Sequence, residues 1–214
     1  MKTVGIRPFE REDRESIRRV CCETAFLDED SKEIFGDNEI LADALTLYFT
    51  DYEPASCFVV DDCGKVIGYV IGSKDVIAAR RIFINKILPH LIVATIKRAT
   101  LFNKRTVRFL YHILISFLKG EFFTPDFSKD YPATLHINIE KDYRGNKLGK
   151  RLIESYLAYI HKERVRGVHF GTISERAKNF FVKNGFSILY QGRRSYLGYV
   201  LKQDTPYYVL GKLL

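Results

Sequence analysis

The pattern of apolar residues changes its period between residues 135 and 163, and this change predicts a strand followed by a helix. Apolar side chains alternate at Leu135, Ile137 and Ile139, as in a strand that is buried on one face. From residue 148 onwards the apolar residues recur at the spacing of a helix, at Leu148, Leu152, Ile153, Tyr156, Leu157 and Ile160. The turn between them contains glycine. A glycine-bearing turn that leads into a helix presents free N–H groups, and such groups bind anions, phosphates above all.

The rest of the chain predicts further strands with helices between them. The predicted strands cover residues 3–7, 57–60, 65–72, 168–173 and 207–214. The predicted helices begin at Asp13 and after the cap residue Ser174, and a third covers residues 38–48. Between the second and third strands, the sequence Asp-Asp-Cys-Gly predicts a hairpin turn.

Residues 74–127 break this order, because they are helical in character and strongly basic. Residues 74–121 hold ten Lys and Arg against two acidic residues, so this stretch accounts for the whole net charge of +8. Pro89 divides the stretch, and its second half carries apolar residues at helical spacing, namely Phe109, Leu110, Ile113, Leu114, Phe117 and Leu118. We therefore predict a basic helical insertion over residues 74–127, between the third and fourth strands.

Two interpretations of this insertion stay open. In the simpler one, its apolar face packs on the rest of the domain and its cations face water. In the other, it contacts a partner: an acidic substrate, an anionic membrane surface, or a second copy of the chain in a homodimer. A nucleic-acid partner ranks last, because the sequence shows no nucleic-acid-binding module and no basic pattern interleaved with aromatic residues.

Composition limits the class of protein. With 214 residues, of which 46% are hydrophobic, the chain can bury a core as one domain over residues 1–214. Its four cysteines lack metal-ligand spacing and include the adjacent pair Cys21 and Cys22, which favours a reduced, cytoplasmic setting. The histidines show no ligand spacing either, so no metal is implied. The sequence contains no N-terminal apolar signal segment and no apolar run of about 18 residues that would predict a membrane span.

Residues 144–149, Arg-Gly-Asn-Lys-Leu-Gly, resemble the pyrophosphate-binding motif of the GNAT superfamily of acyl-CoA-dependent N-acetyltransferases. The family pattern is Arg or Gln, two variable residues, Gly, one variable residue, and then Gly or Ala. The first and last positions match, but Lys147 stands at the central glycine. Left-handed geometry costs a lysine about 1–2 kcal/mol, so we expect either a negative φ there or a strained lysine beside a phosphate.

A second stretch, residues 174–186, resembles the second GNAT signature, which has Asn at the cap, then Ala, then Phe-Tyr-Glu-Lys-x-Gly-Phe. The positions that agree are Ala177, Phe180, Lys183, Gly185 and Phe186. Ser174 stands where Asn is usual and keeps an oxygen acceptor. Phe181 stands where Tyr is usual, so it lacks the hydroxyl that many members of the family use as general acid on the departing thiolate.

The resemblance covers residues 3–73 and 131–214 and implies a GNAT-like α/β (α+β) fold. We expect a mixed, mainly antiparallel central sheet flanked by helices, with the basic insertion near the acceptor side of the domain. The implied reaction transfers an acetyl group from acetyl-CoA, the co-substrate, to a primary amine of a small molecule or peptide. The alternative is a non-catalytic CoA-binding module that acts as a regulatory or interaction protein, which Lys147, Ser174 and Phe181 slightly favour.

By position, the resemblance also implies the site. The backbone of Ile137, Asn138 and Ile139 would pair with the pantetheine arm of CoA. The other cofactor-binding residues would lie in the turn and in the second motif, namely Arg144, Gly145, Asn146, Lys147, Leu148, Gly149, Lys150, Ser174 and Phe181. His136 and Glu140 lie on the polar face of the same strand and are the candidate general bases, although a structural role stays open for each.

Overall fold

Seven strands form two antiparallel sheets in the computed structural model, which describes residues 4–28 and 31–214. The first sheet has the order β1-β2-β3-β4, with β1 at Gly5–Pro8, β2 at Phe58–Asp62, β3 at Lys65–Ser73 and β4 at Thr134–Ile139. The second has the order β5-β7-β6, with β5 at Gly167–Thr172, β6 at Ser187–Arg194 and β7 at Thr205–Leu213. Thr3, where we expected the first strand to begin, lies outside the described residues.

Nine helices lie between these strands in the described residues. They are α1 (Arg14–Asp28), α2 (Ser31–Ile34), α3 (Asn38–Tyr52), α4 (Val76–Ile82), α5 (Leu88–Lys97), α6 (Lys104–Leu118), α7 (Leu148–Lys162), α8 (Glu175–Lys183) and α9 (Gly198–Leu201). Helices α4 to α6 fall between β3 and β4, where the basic segment lies in the sequence.

The two sheets are joined by a parallel bridge between Ala133 and Val168 and then separate. The amide of Ala133 donates to the carbonyl of Gly167 at 3.0 Å, and the amide of His169 donates to the carbonyl of Ala133 at 2.9 Å. Beyond this bridge, the described residues of β4 and β5 do not pair with each other. The strands therefore form a mixed, mainly antiparallel sheet flanked by helices, which confirms the predicted fold class.

Helix α7 covers one face of the first sheet, as its periodicity predicts. Leu152, Tyr156 and Ile160 are fully buried against the strands. The Tyr156 hydroxyl donates to the carbonyl of Thr134 at 2.7 Å, so it ties the helix to the start of β4. This close packing requires a glycine at position 72, because a Cβ there would lie 2.3 Å from Cε2 of Tyr156.

Helices α1 and α3 cover the opposite face of the first sheet. The buried cluster on this side consists of Ile17, Val20, Cys21, Cys57, Val59, Val66, Tyr69 and Ile71. All four cysteines are free thiols. Burial raises the pKa of Cys21 and of Cys57 to about 12, so both are neutral near pH 7 and pack as small apolar side chains.

Pro89 does not divide the insertion where we expected. The helical path continues from α4 to α5 through a π-helical turn at Phe83–Ile87, and the amide of Leu88 donates to the carbonyl of Phe83. Pro89 then lies in the first turn of α5, where a helix tolerates a residue without an N–H. The division comes later, at Ala99, which has a φ of +54°.

Strand β6 and helix α9 were not predicted from the sequence. The apolar residues of β6, Ile188, Leu189 and Tyr190, are followed by the polar run Gln-Gly-Arg-Arg, which does not alternate as a half-buried strand does. The strand exists because β7 pairs with it along its length, from Ser187 to Arg194. Its position at the edge of the second sheet explains why its sequence is so polar.

Candidate functional site

The separation of β4 from β5 leaves one edge of β4 open. The amide of Glu140 donates to the carbonyl of Ile67 in β3 at 2.9 Å, and antiparallel pairing alternates along a strand. The amides and carbonyls of Leu135, Ile137 and Ile139 therefore point away from β3, towards the gap between the sheets. An extended molecule in this gap can pair with β4 as another strand would.

The turn after β4 bends back onto the strand and ends at the N-terminus of α7. The guanidinium Nε of Arg144 donates to the carbonyl of Ile139 at 2.9 Å, which holds the start of the turn. Gly145 has a φ of +91° and Lys147 a φ of +60°, so both adopt left-handed geometry. We expected Lys147 to have either a negative φ or a strained left-handed backbone, and the structure contains the strained backbone.

Lys147 is the N-cap residue of α7, and its own side chain does not cap the helix. The first helical bond runs from the amide of Arg151 to the carbonyl of Lys147 at 3.2 Å. The amides of Leu148, Gly149 and Lys150 therefore have no helical acceptor and remain available to an anion. The side chains of Lys147 and Lys150 are exposed beside them and add positive charge.

Gly149 lies where the two sequence motifs meet. A Cβ at this position would lie 3.2 Å from Cζ of Phe180 in α8 and 3.5 Å from Cδ1 of Ile139 in β4. The ring of Phe180 thus packs against the first turn of α7. Phe180 was not predicted as a site residue, although the sequence contained a signal for it, since it matches the first aromatic position of the second motif.

Ser174 and Phe181 contribute to the structure of this region without facing the turn. The Ser174 hydroxyl caps α8 by accepting from the amide of Ala177 at 3.1 Å. Phe181 is buried, with its ring centroid 4.4 Å from that of Phe170 and 5.1 Å from that of Phe186. The structure therefore places Phe181 in the core beneath the second sheet, and Phe180 at the turn.

His136 and Asn138 lie on the face of β4 that meets α1, as strand alternation predicts. The Asn138 side-chain amide lies 2.9 Å from the hydroxyl of Tyr69 and 3.3 Å from Nε2 of His136. Burial lowers the pKa of His136 to about 4, so its imidazole is neutral near pH 7. The hydroxyl of Tyr69 is fully buried, which raises its pKa well above the usual 10.

Glu140, at the end of the same face, is held by two cations. Its carboxylate accepts hydrogen bonds from Arg19 at 2.7 Å and from Lys65 at 3.0 Å. Burial raises the pKa of Glu140, but the bonds from Arg19 and Lys65 outweigh it, so the pKa lies below its ordinary value. Glu140 is therefore ionised and ion-paired, whereas His136 is neutral and has no ion pair among the residues that the structure describes.

The end of the insertion is attached to the connection between β6 and β7. The carboxylate of Glu121 accepts from the amide of Ser195 at 2.7 Å. Farther along the connection, the ring of Tyr199 stacks on that of His112 in α6, with a centroid distance of 4.3 Å. The insertion thus packs on the connection between β6 and β7 as well as on α3.

The described residues contain no group of three or more His, Cys, Asp and Glu side chains that could hold a metal ion. In the same residues, no helix is long and apolar enough to cross a membrane.

Comparison with known proteins found likeness at the level of structure. Models of protein families and curated protein sequences gave no match. The solved structure of SsHAT is similar over 99% of this chain and 98% of that one, with 24% identity and a TM-score of 0.73. The polyamine N-acetyltransferase of Drosophila melanogaster is similar over 99% and 100% of the two chains, with 14% identity and a TM-score of 0.59. The putative acetyltransferase yncA of Salmonella typhimurium, solved with acetyl-CoA, is similar over 100% and 95%, with 11% identity and a TM-score of 0.57. At these identities the likeness establishes the fold alone.

Proposed function

We propose that this chain, which has the fold of the GNAT N-acyltransferases, binds acetyl-CoA and transfers the acetyl group to a primary amine of a small molecule or peptide. The observation that carries the proposal is the open edge of β4, which leads directly into the helix N-terminus at residues 144–149. CoA combines an extended arm, which has amide groups, with a pyrophosphate. The arm needs a strand edge to pair with, and the pyrophosphate needs free N–H groups. The stretch from β4 to the start of α7 offers both.

In this proposal, the pantetheine arm pairs with the backbone of Ile137 and Ile139 in the gap between the sheets. The pyrophosphate lies on the first amides of α7, with Lys147 and Lys150 beside it. The likeness to yncA, which was solved with acetyl-CoA, supports acetyl-CoA as the co-substrate. The likeness to an enzyme named as a polyamine N-acetyltransferase supports an amine as acceptor without identifying it.

The transfer requires a neutral amine, a polarised thioester carbonyl and a thiolate that can leave. His136 is better placed than Glu140 to accept the proton of the amine, because Glu140 is already bonded to Arg19 and Lys65. An imidazole with a pKa of about 4 is unprotonated near pH 7 but is a weak base. Alignment of amine and thioester would therefore supply most of the catalysis, and alignment can be worth about 7–11 kcal/mol.

The departing thiolate does not require a tyrosine at position 181. A thiol has a pKa of about 8.5, so its anion is tolerable near neutral pH and an acid is helpful but not essential. Water can supply the proton after the carbon–sulfur bond breaks. The absence of a hydroxyl at Phe181 is thus compatible with turnover.

A CoA-binding module without turnover is the second candidate. Two observations favour it: the ring of Phe181 is buried, and the pKa of His136 is too low for an efficient base. The two candidates share the CoA site and differ only in the reaction that follows binding.

Calorimetry with CoA tests the shared site. We expect Gly149→Asp to abolish binding, because its side chain would meet Phe180 and its charge would repel the pyrophosphate at the helix N-terminus. Ser155→Asp is the matched control, since it adds the same charge farther along α7, and it should bind CoA like the wild type. Unchanged CoA affinity in Gly149→Asp would contradict the proposed CoA site.

Turnover separates the two candidates. The protein is incubated with acetyl-CoA and a panel of polyamines, amino acids and peptides, and free thiol and acetylated product are measured. A transferase releases one thiol for each acetyl group found on an amine. CoA binding without thiol release for any amine would favour the binding module.

A further inference from the structure

Helix α6 packs on the fold with one side and exposes apolar residues on the other. On its inner side, Thr106 and Ser116 are buried, and the ring of Phe109 packs edge-on against Phe35 with centroids 5.7 Å apart. On its outer side, a continuous stripe of apolar residues is at least 42% exposed, namely Val107, Leu110, Tyr111, Leu114, Phe117 and Leu118. The helix is therefore packed on one side and uncovered on the other.

Helix α5 and the turn that follows it repeat this arrangement. The inner residues Ile87 and Leu91 are buried in the cluster around α3. Outer apolar residues are exposed, namely Leu88, Ile92, Val93, Ile96, Leu101 and Phe102, and Phe102 is 89% exposed. We refer to the outer residues of α5, of α6 and of the turn between them, together with the exposed cations of α4 to α6, as the basic apolar surface. Single exposed apolar residues are common, but a large group in one segment marks an interaction site.

The charge of this segment indicates what the surface contacts. Residues 76–118 contain no Asp or Glu. Just outside this range, Asp75 caps α4 and Glu121 accepts hydrogen bonds from Ser195, so both carboxylates are used within the fold. Cations are exposed along the helices, and among the described residues four of them have no ion pair or hydrogen-bonded side-chain partner, namely Arg80, Arg81, Lys97 and Lys104. An anionic partner would neutralise them.

Charge also argues against the other occupants. A second copy of the chain would bring an identical basic surface against the first, with no acidic residue on α4 to α6 to offset the repulsion. Single-stranded nucleic acid is usually held by aromatic side chains on which bases stack, whereas the exposed stripe of α6 is mainly aliphatic. Exposed Leu, Ile and Phe beside Lys and Arg are instead the composition of helices that lie in a membrane interface.

We propose that the basic apolar surface docks on an anionic lipid membrane. The outer apolar side chains enter the boundary between headgroups and acyl chains, and the flanking cations bind the anionic headgroups. Helices that are apolar on one side and basic beside it lie along the membrane interface, so the contact that we propose is peripheral. This inference rests on the insertion alone and is independent of the proposed acetyl transfer.

Co-sedimentation of the full chain with vesicles tests the proposal. Vesicles of phosphatidylcholine with about a third phosphatidylserine should bind the protein, and vesicles of phosphatidylcholine alone should bind it at least tenfold more weakly. Raising the salt concentration should weaken binding, because exposed charges are screened. Absence of binding to the anionic vesicles, or equal binding to both kinds, would overturn the proposal.

Variants of the surface locate the contact. Leu114→Glu together with Phe117→Glu should reduce binding at least tenfold. Val182→Glu together with Ile188→Glu is the matched control, since these apolar residues are 44% and 45% exposed on α8 and β6, and it should bind normally. Circular dichroism and urea unfolding check that every variant is folded. An equal loss in the control pair would contradict docking through α6.

The charge requirement has its own matched pair. Changing Arg80, Arg81, Lys97 and Lys104 to Gln should weaken binding to anionic vesicles at least tenfold. The same change at the exposed residues Arg11, Lys129, Lys162 and Arg166 removes equal charge elsewhere and should have little effect. If sedimentation equilibrium instead shows a dimer that Leu114→Glu dissociates, the surface belongs to a second copy and the membrane proposal is wrong.

Discussion

The region from β4 to α7 and the insertion from α4 to α6 are both rich in apolar residues, but they place them differently. In the first, Leu152, Tyr156 and Ile160 are fully buried against the sheet. In the second, Ile96 and Phe102 are 66% and 89% exposed. The first region is stabilised by contacts within the fold, which hold the turn at residues 144–149 in place. The second is only half covered by the fold, so its outer side is suited to something outside the chain.

The largest expected effect tests this difference in burial directly. Tyr156→Ala removes a fully buried ring and its bond to Thr134, so it should lower the free energy of unfolding by about 3–5 kcal/mol. Leu114→Ala removes a side chain that is 53% exposed, so the change should stay within about 0.5 kcal/mol. Urea unfolding followed by circular dichroism measures both. Similar losses at the two positions would mean that the outer side of α6 is packed after all.

The next largest expected effect is on turnover and concerns the candidate bases of β4. His136→Ala should lower turnover by up to about 10²-fold, the lower end of the range for lost acid–base help, because an imidazole with a pKa of about 4 is a weak base. Glu140→Gln should lower turnover less, because Glu140 is already engaged by Arg19 and Lys65. CoA affinity should change in neither variant, as neither side chain lies at the turn. Steady-state kinetics between pH 6 and 9 make the measurement. Full turnover in both variants would leave positioning as the source of catalysis.

The four-residue Gln variant of the insertion extends this test to the other region. It should bind CoA like the wild type, because the proposed CoA site at residues 144–149 lies outside the insertion. If the insertion also borders the acceptor site, the Michaelis constant for an anionic acceptor should rise and the rise should fade at high salt. A changed CoA affinity would mean that the two regions do not act separately.

The pH dependence of stability gives a smaller effect. Burial lowers the pKa of His136 from its ordinary 6.5 to about 4. Between these values the unfolded chain binds a proton that the native chain excludes, so the free energy of unfolding falls as the pH drops. The slope in this window is at most about 1.4 kcal/mol per pH unit, and it vanishes above pH 6.5. His136→Gln should remove this slope in urea unfolding, whereas the exposed control His161→Gln should retain it.

The smallest expected effect concerns Lys147. Lys147→Gly relieves the left-handed strain, which costs about 1–2 kcal/mol, but loses up to about 1 kcal/mol to the greater entropy of glycine in the unfolded chain. The net gain in unfolding free energy should be about 0.5–1 kcal/mol. CoA affinity should fall severalfold through loss of the cation, more at low salt than at high salt. Lys150→Ala is the control, because it removes a cation beside the turn without relieving any backbone strain. A less stable Lys147→Gly variant would contradict the strain argument.

The sequence alone determined the elements whose residues follow one clear period. The alternation at Leu135, Ile137 and Ile139 and the helical spacing from Leu148 predicted β4 and α7, because each pattern reflects local geometry repeated along one element. The same is true of the basic segment between β3 and β4, because the spacing of its apolar residues predicted helices. The turn residues that connect β4 to α7 were likewise visible as a motif.

Only the tertiary structure decided which groups those elements bring together. Strand alternation placed His136 and Glu140 on one face, but Arg19 from α1 and Lys65 from β3 engage Glu140, and burial keeps His136 neutral. Periodicity also could not tell that α6 is covered on one side alone. Both outcomes depend on contacts between residues far apart in the chain. A pattern along one element does not predict which other elements pack against it.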